Sequence, residues 1–199
     1  MGSEFWGFAQ LGFQHIVSTD AADHVLFLLV LAAIYRLRDW RAVLWVVSAF
    51  TVGHSITLAL AVTNVLVLPS PIVEFLIPVT IVATAVENLV QRERAAAGQF
   101  SRYRVMFAAL FGLVHGAGFA GYLRSLFLES IAMPLVGFNL GIEAGQIVVL
   151  LLTAVAFRGV DAALTALAPH RESFSLRLVG VSCAVMIVAS GWAWERVPR

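Results

Sequence analysis

The sequence predicts an all-α, polytopic membrane protein built as a bundle of six transmembrane helices. Three observations carry this reading. The 199 residues are 60% hydrophobic and 13% charged, with mean hydropathy +0.90, whereas a soluble domain is about 25% charged. Six apolar runs approach the length of about 20 residues that a helix needs to cross a bilayer. They lie at about 22–37, 41–63, 71–91, 103–124, 132–157 and 175–195. The arginines, finally, are distributed unevenly about those runs. Residues 1–199 therefore read as a single transmembrane domain in a lipid bilayer, and nucleic acid is excluded as a partner. The one cysteine, Cys183, rules out an internal disulfide and a multi-thiolate metal site.

Residues 5–14, FWGFAQLGFQ, are apolar and aromatic but too short to span. They are expected to lie in the interface, with Trp6 and Phe8 at headgroup depth. No basic stretch precedes the first apolar run, so no cleavable signal peptide is expected, and the opening MGSEF reads as cloning-derived. RLRDWR (36–41) makes a tight charged turn, and NVLVLPSP (64–71) an uncharged one punctuated by Pro69 and Pro71. Pro78 is expected to bend the third helix and free a carbonyl. Glu87 is expected to pair with Arg92 or Arg94. The link 92–104, RERAAAGQFSRYR, reads as basic and solvated, and the link 158–174 as the most flexible stretch.

Ten arginines (36, 38, 41, 92, 94, 102, 104, 158, 171 and 177) lie in or beside the odd-numbered loops, against Arg124, Arg196 and Arg199 elsewhere. By the positive-inside rule the odd loops face the cytoplasm, and both termini the outer, periplasmic side of a bacterial inner membrane.

Orientation sets depth, at about 1.5 Å per residue. His15, Asp20, Asp23 and His24 gather at the outer surface, and Asp20, Asp23 and His24 share one face if the helix has begun by Asp20. The two acids also suit a helix N-terminus. His54 falls in the outer half of the second helix, Glu74 at the outer start of the third, His115 at or outside the midplane of the fourth, and Glu143 near the middle of the fifth. Ionisable groups in spanning helices are expensive and mark function. Each also has a structural reading: His54 bonded to Thr51 and Ser55, His115 buried where Gly112, Gly116, Gly118 and Gly121 let helices approach, Glu74 snorkelling. In the fifth helix Gly137, Gly141 and Gly145 make a packing ridge, and Asn139, Glu143 and Gln146 a separate polar stripe.

Convergence from five helices onto one membrane half suits a divalent transition metal, Ni²⁺, Co²⁺ or Zn²⁺, held by mixed nitrogen and oxygen donors. The ligand pool is His15, Asp20, Asp23, His24, His54 and His115. Ser55, Glu74, Asn139, Glu143 and Gln146 stand as supporting or relay residues. FTVGHSI (50–56) and FNLGIEA (138–144) share F-x-x-G in helices of opposite direction, a faint echo of an inverted repeat of three helices each. The first functional reading is a permease that takes up the metal ion, its substrate, from the outer side. The alternative is an intramembrane zinc-dependent hydrolase, ceramidase-like, with a metal-activated water near Ser55. A third is a metal-binding accessory or sensor subunit. Any of these is compatible with a homo-oligomer or accessory membrane subunits.

The chain resembles the HupE/UreJ family, and its second subfamily in particular. DHVLFLL (23–29), FTVGHSITL (50–58), VEFLIPVTI (73–81), VENL (86–89), FGLVHGAGFAG (111–121) and FNLGIEAGQ (138–146) carry the resemblance. It implies a small membrane protein regarded as a nickel or cobalt permease attached to hydrogenase and urease systems, with a metal path through His15, Asp23, His24, Glu74 and His115. The chain departs from the family pattern in two places. Seven residues separate His15 from Asp23, more than is familiar, and Leu113-Val114-His115 lacks the second histidine of the nickel-permease branch.

Overall fold

Two parallel helix pairs, each sealed by glycines, frame the molecule. The computed structural model describes residues 2–18, 21–96, 98, 103–126, 132–167 and 172–198. The elements are α1 (Gly2–Val17), α2 (Ala22–Ala33), α3 (Trp40–Val62), α4 (Ser70–Val90), α5 (Arg92–Ala96), α6 (Tyr103–Leu126), α7 (Ala132–Leu167) and α8 (Ser173–Glu195). Among the described residues all regular structure is helical. Among the described residues four helices are long and apolar enough to cross a membrane, or five if the bent pair α1–α2 counts as one span. In α6 the apolar stretch is Tyr103–Phe119.

The sequence places α3, α4 and α8 to within two residues, because each apolar run has sharp ends. The Arg36 N–H donates to the Asp39 carboxylate over 2.9 Å, tightening the turn before α3. Beyond α3, Asn64 adopts φ 59°, a left-handed conformation that asparagine tolerates. Pro71 sits in the first turn of α4, where a missing N–H costs nothing, and Pro78 lies inside an unbroken helix.

Other expectations are corrected. The apolar run 22–37 is not one helix: α2 has 12 residues, about 18 Å of rise, and bends by 68° from α1. Residues 5–14 belong to α1, which packs along α7. The stretch expected to be most flexible is helical as far as Leu167, because α7 has 36 residues. Asp161 there accepts from Arg177 Nε at 2.9 Å, fastening α7 to α8. The link 92–104 is not wholly solvated: Ala95 and Arg104 are buried. Arg104, not Arg92 or Arg94, pairs with Glu87, at 2.8 Å.

Glycines set the two pairs. A Cβ on Gly12 would collide with the Phe138 carbonyl, and one on Gly141 with the Ala9 carbonyl, so α1 and α7 touch backbone to backbone and run the same way. Gly112 meets the Phe50 carbonyl and Gly53 the Ala109 carbonyl in α6 and α3, again parallel. Ala9 and Gly12 thus stand to Phe138 and Gly141 as Ala109 and Gly112 stand to Phe50 and Gly53. Thr51 of α3 meets Gln146 of α7, while His54, one turn later in α3, lies beside His15, which packs on Phe138, two turns earlier in α7, so α3 and α7 run antiparallel. One pair therefore runs opposite to the other. This is the relation of an inverted repeat, and α4 and α8, the remaining member of each half, pack on each other. The shared F-x-x-G of α3 and α7 is part of this repeated contact.

Candidate metal centre

The bend between α1 and α2, together with the α3–α6 seam, brings four histidines from four helices into one cluster. His15 ends α1, Asp23 and His24 begin α2, His54 follows Gly53 in α3, and His115 lies between Gly112 and Gly116 in α6. Because those glycines draw α6 against the His54 backbone, the side chains of both helices reach one spot. His24 is the hub. Its ring centroid lies 4.8 Å from His15, 5.9 Å from His54 and 5.2 Å from His115, and His15 is 6.3 Å from His54. His54 is fully buried, and His115 and His24 nearly so, at 1% and 5% exposed. The rings of Phe27, Phe50, Phe119 and Phe138 wall the cluster.

Hydrogen bonds fix which nitrogens are free. The Asp23 carboxylate faces His24 Nδ1 at 3.0 Å and also accepts the His24 backbone N–H at 2.8 Å. In the neutral ring Nδ1 therefore carries the proton and Nε2 keeps its lone pair, the usual arrangement behind a metal-ligating histidine. Thr80 Oγ1 donates to the Ile77 carbonyl at 2.7 Å, so its one proton is committed. At 3.0 Å from His115 Nε2 it can only accept, which leaves His115 Nδ1 with the lone pair. His15 Nε2, His24 Nε2, His115 Nδ1 and both nitrogens of His54 are buried without a hydrogen-bond partner. Such orphaned polar atoms cost about 1–3 kcal/mol each, and the donor set, three to four imidazoles with a carboxylate behind one of them, suits a divalent transition metal. Among the described residues no three such side chains stand close enough to hold an ion as they are. Coordination therefore requires the rings to turn toward a common centre.

A pocket of about 280 Å³ reaches the cluster. It is lined by His15, Asp23, His24 and His115, with Glu74 from the first turns of α4 and Arg196 just past α8. This end of the bundle lies opposite the one carrying Arg36, Arg92 and Arg158.

Of the residues singled out in the sequence, His15, Asp23, His24, His54, Glu74 and His115 come together. Asp20 lies outside the described residues. Gln146 is buried and accepts from Thr51 at 2.8 Å, one turn of α3 away from His54. Thr51 therefore does not satisfy His54, contrary to the structural reading of that histidine. The Ser55 hydroxyl donates to the Thr51 carbonyl at 2.7 Å, within its own helix, and nothing supports its part in a hydrolase. Glu143 is half-buried and Asn139 Oδ1 is buried without a partner; neither lines the pocket.

Sequence reasoning missed Thr80 and Arg196. Thr80 gave no signal, being one of several threonines in apolar helices. Arg196 was legible as an outer arginine, but its approach to the pocket depends on where α8 ends. A family profile described as HupE / UreJ protein matches residues 1–196. Searches of curated proteins and of solved structures returned no match.

Proposed function

The chain belongs to the HupE/UreJ family, and from that premise we propose that it is a multi-pass permease of the bacterial inner membrane that takes up a divalent transition metal from the outer side. The observation that carries this is the set of partnerless imidazole nitrogens around His24, at the foot of a pocket opening away from the arginine-rich end. By the positive-inside rule that end is cytoplasmic and the pocket is external. Six crossings then follow, α1–α2 serving as one broken crossing and α6 as another, with both termini outside. A broken helix at a buried site and an inverted repeat around it are features of secondary transporters, and they favour passage over hydrolysis.

In this reading Glu74 attracts the cation at the mouth, and His15, His24, His54 and His115 replace its water ligands. Asp23 holds His24 with its ligating nitrogen presented. Thr80 does the same for His115. Ni²⁺, Co²⁺ and Zn²⁺ all suit such nitrogen donors, and affinity alone does not rank them in the cell. Gln146 and Thr51, below His54, are the first polar groups along α3 and α7 toward the cytoplasm. A second copy or an accessory subunit is compatible with the arrangement.

Uptake of each ion into proteoliposomes tests the proposal, with lipid hydrolysis assayed on the same sample. Saturable uptake that His24→Ala and His115→Ala abolish is expected. Flux equal to that of protein-free liposomes for all three ions, or lipid hydrolysis in its place, refutes it.

A further inference from the structure

A second cavity lies at the opposite, arginine-rich end. It is a cleft of about 780 Å³ between α2–α3 on one side and α7–α8 on the other, within the range of about 300–1,000 Å³ typical of small-molecule sites. Its two ends differ in chemistry. Val43 and Leu44 of α3 and Ile147 and Leu151 of α7 line the deep part, and Leu44, Ile147 and Leu151 are 40%, 45% and 62% exposed, so the cleft is open sideways to the bilayer. Arg36, Arg158 and Arg177 line the end near the helix termini. The change from apolar to cationic thus follows the membrane normal.

The positive charge at that end is not all neutralised. Asp161 is taken by Arg177, at 2.9 Å, and Arg177 also donates to the carbonyls of Ala33 and Tyr35. Glu172 accepts the Ser175 hydroxyl at 3.1 Å. Arg36 and Arg158 have no carboxylate partner among the described residues. Arg36 stacks on the Phe174 ring at 4.5 Å and donates to the Ala96 carbonyl at 3.2 Å, and its Nε is buried without a partner. The N-terminus of α8 opens on the same end and has no side-chain cap, leaving first-turn N–H groups to face an anion.

We propose that this cleft binds an anionic phospholipid of the adjoining leaflet, with its phosphate between Arg36 and Arg158 and an acyl chain along Val43, Leu44, Ile147 and Leu151. Basic pockets between helices on the cytoplasmic side are suited to such headgroups. A lipid seated there wedges α3 from α7, the two helices related by the inverted repeat, and so bears on their relative movement. The site is independent of the metal centre and stands or falls separately.

The test is thermal unfolding of delipidated protein in a neutral detergent, titrated with phosphatidylglycerol or with phosphatidylcholine of the same chains. Phosphatidylglycerol is expected to raise the midpoint and phosphatidylcholine not to. The double variant Arg36→Ala/Arg158→Ala should need about tenfold more phosphatidylglycerol for half the effect, and Arg94→Ala, on exposed α5, no more than wild type. Should the double variant fail to fold, Arg158→Gln, at an exposed position, replaces it with a smaller shift in the same direction. Equal stabilisation by the two lipids, an equal shift with inorganic phosphate alone, an unchanged titration in the variants, or closure of the cleft by a second copy that the same substitutions dissociate would each overturn the proposal.

Discussion

Replacing Gly112 with alanine tests the backbone contact on which both the inverted repeat and the histidine cluster depend. The new Cβ would overlap the Phe50 carbonyl oxygen and crowd the His54 nitrogen. Neither atom can rotate away, because both belong to the backbone of α3, so the helices must part by roughly an ångström. Overpacking of this kind costs about 1–3 kcal/mol, and a rigid contact belongs at the upper end. For a chain of this size that corresponds to a midpoint lowered by about 2–12 °C. The repeat makes a sharper demand. Gly12, Gly53 and Gly141 each have a backbone carbonyl oxygen in the way at about the same distance, so alanine at each should cost as much as at Gly112. Gly7, Gly159, Gly180 and Gly191 have nothing within 4 Å of a new Cβ; alanine there should be neutral or stabilising, since glycine in a helix costs about 1 kcal/mol relative to alanine. The assay is thermal unfolding of all eight variants in one detergent. Equal losses in both groups, or tolerance at Gly12 and Gly141 with intolerance at Gly53 and Gly112, would refute the reasoning.

Three further outcomes are expected. Asp23→Asn should weaken metal binding about tenfold and Asp23→Ala up to about 100-fold, the range for losing a group that orients a ligand, read by calorimetric titration; unchanged affinity in Asp23→Ala sinks the orienting role. Thr80→Val should weaken binding about tenfold by releasing His115 Nε2, measured by competition with a metal-sensitive dye, and no change would mean that His115 does not ligate through Nδ1. Arg177→Met should lower stability by about 3 kcal/mol, the lower end for breaking a buried pair, because Asp161 is a third exposed and water partly replaces the lost partner. A midpoint within a degree of wild type would show that Arg177 does not fasten α7 to α8.

The sequence made the spans visible wherever polar residues or prolines cut an apolar run short, as at Asp39 before α3 and Pro69 before α4. It hid the first crossing, because α1 is half apolar and its polar-looking glycine face is covered only by α7. It also hid the length of α7, since Arg158 looks like an end until Arg177 on another helix is seen to hold Asp161. That histidines converge was legible from depth alone. Which histidine is the hub was not, because that depends on the bend after His15, and Thr80 enters only through the packing of α4 on α6. The F-x-x-G echo held a real signal, but its partners, Ala9–Gly12 and Ala109–Gly112, are recognisable only once the carbonyls they meet are known.

X-ray absorption at the metal edge, on protein carrying one equivalent of Zn²⁺ or Ni²⁺, reads the coordination shell directly. For Zn²⁺, three or four imidazole nitrogens are predicted at about 2.0–2.1 Å, with one fewer in His24→Ala. An all-oxygen shell, or a spectrum that His24→Ala leaves unchanged, would contradict a metal site built around His24.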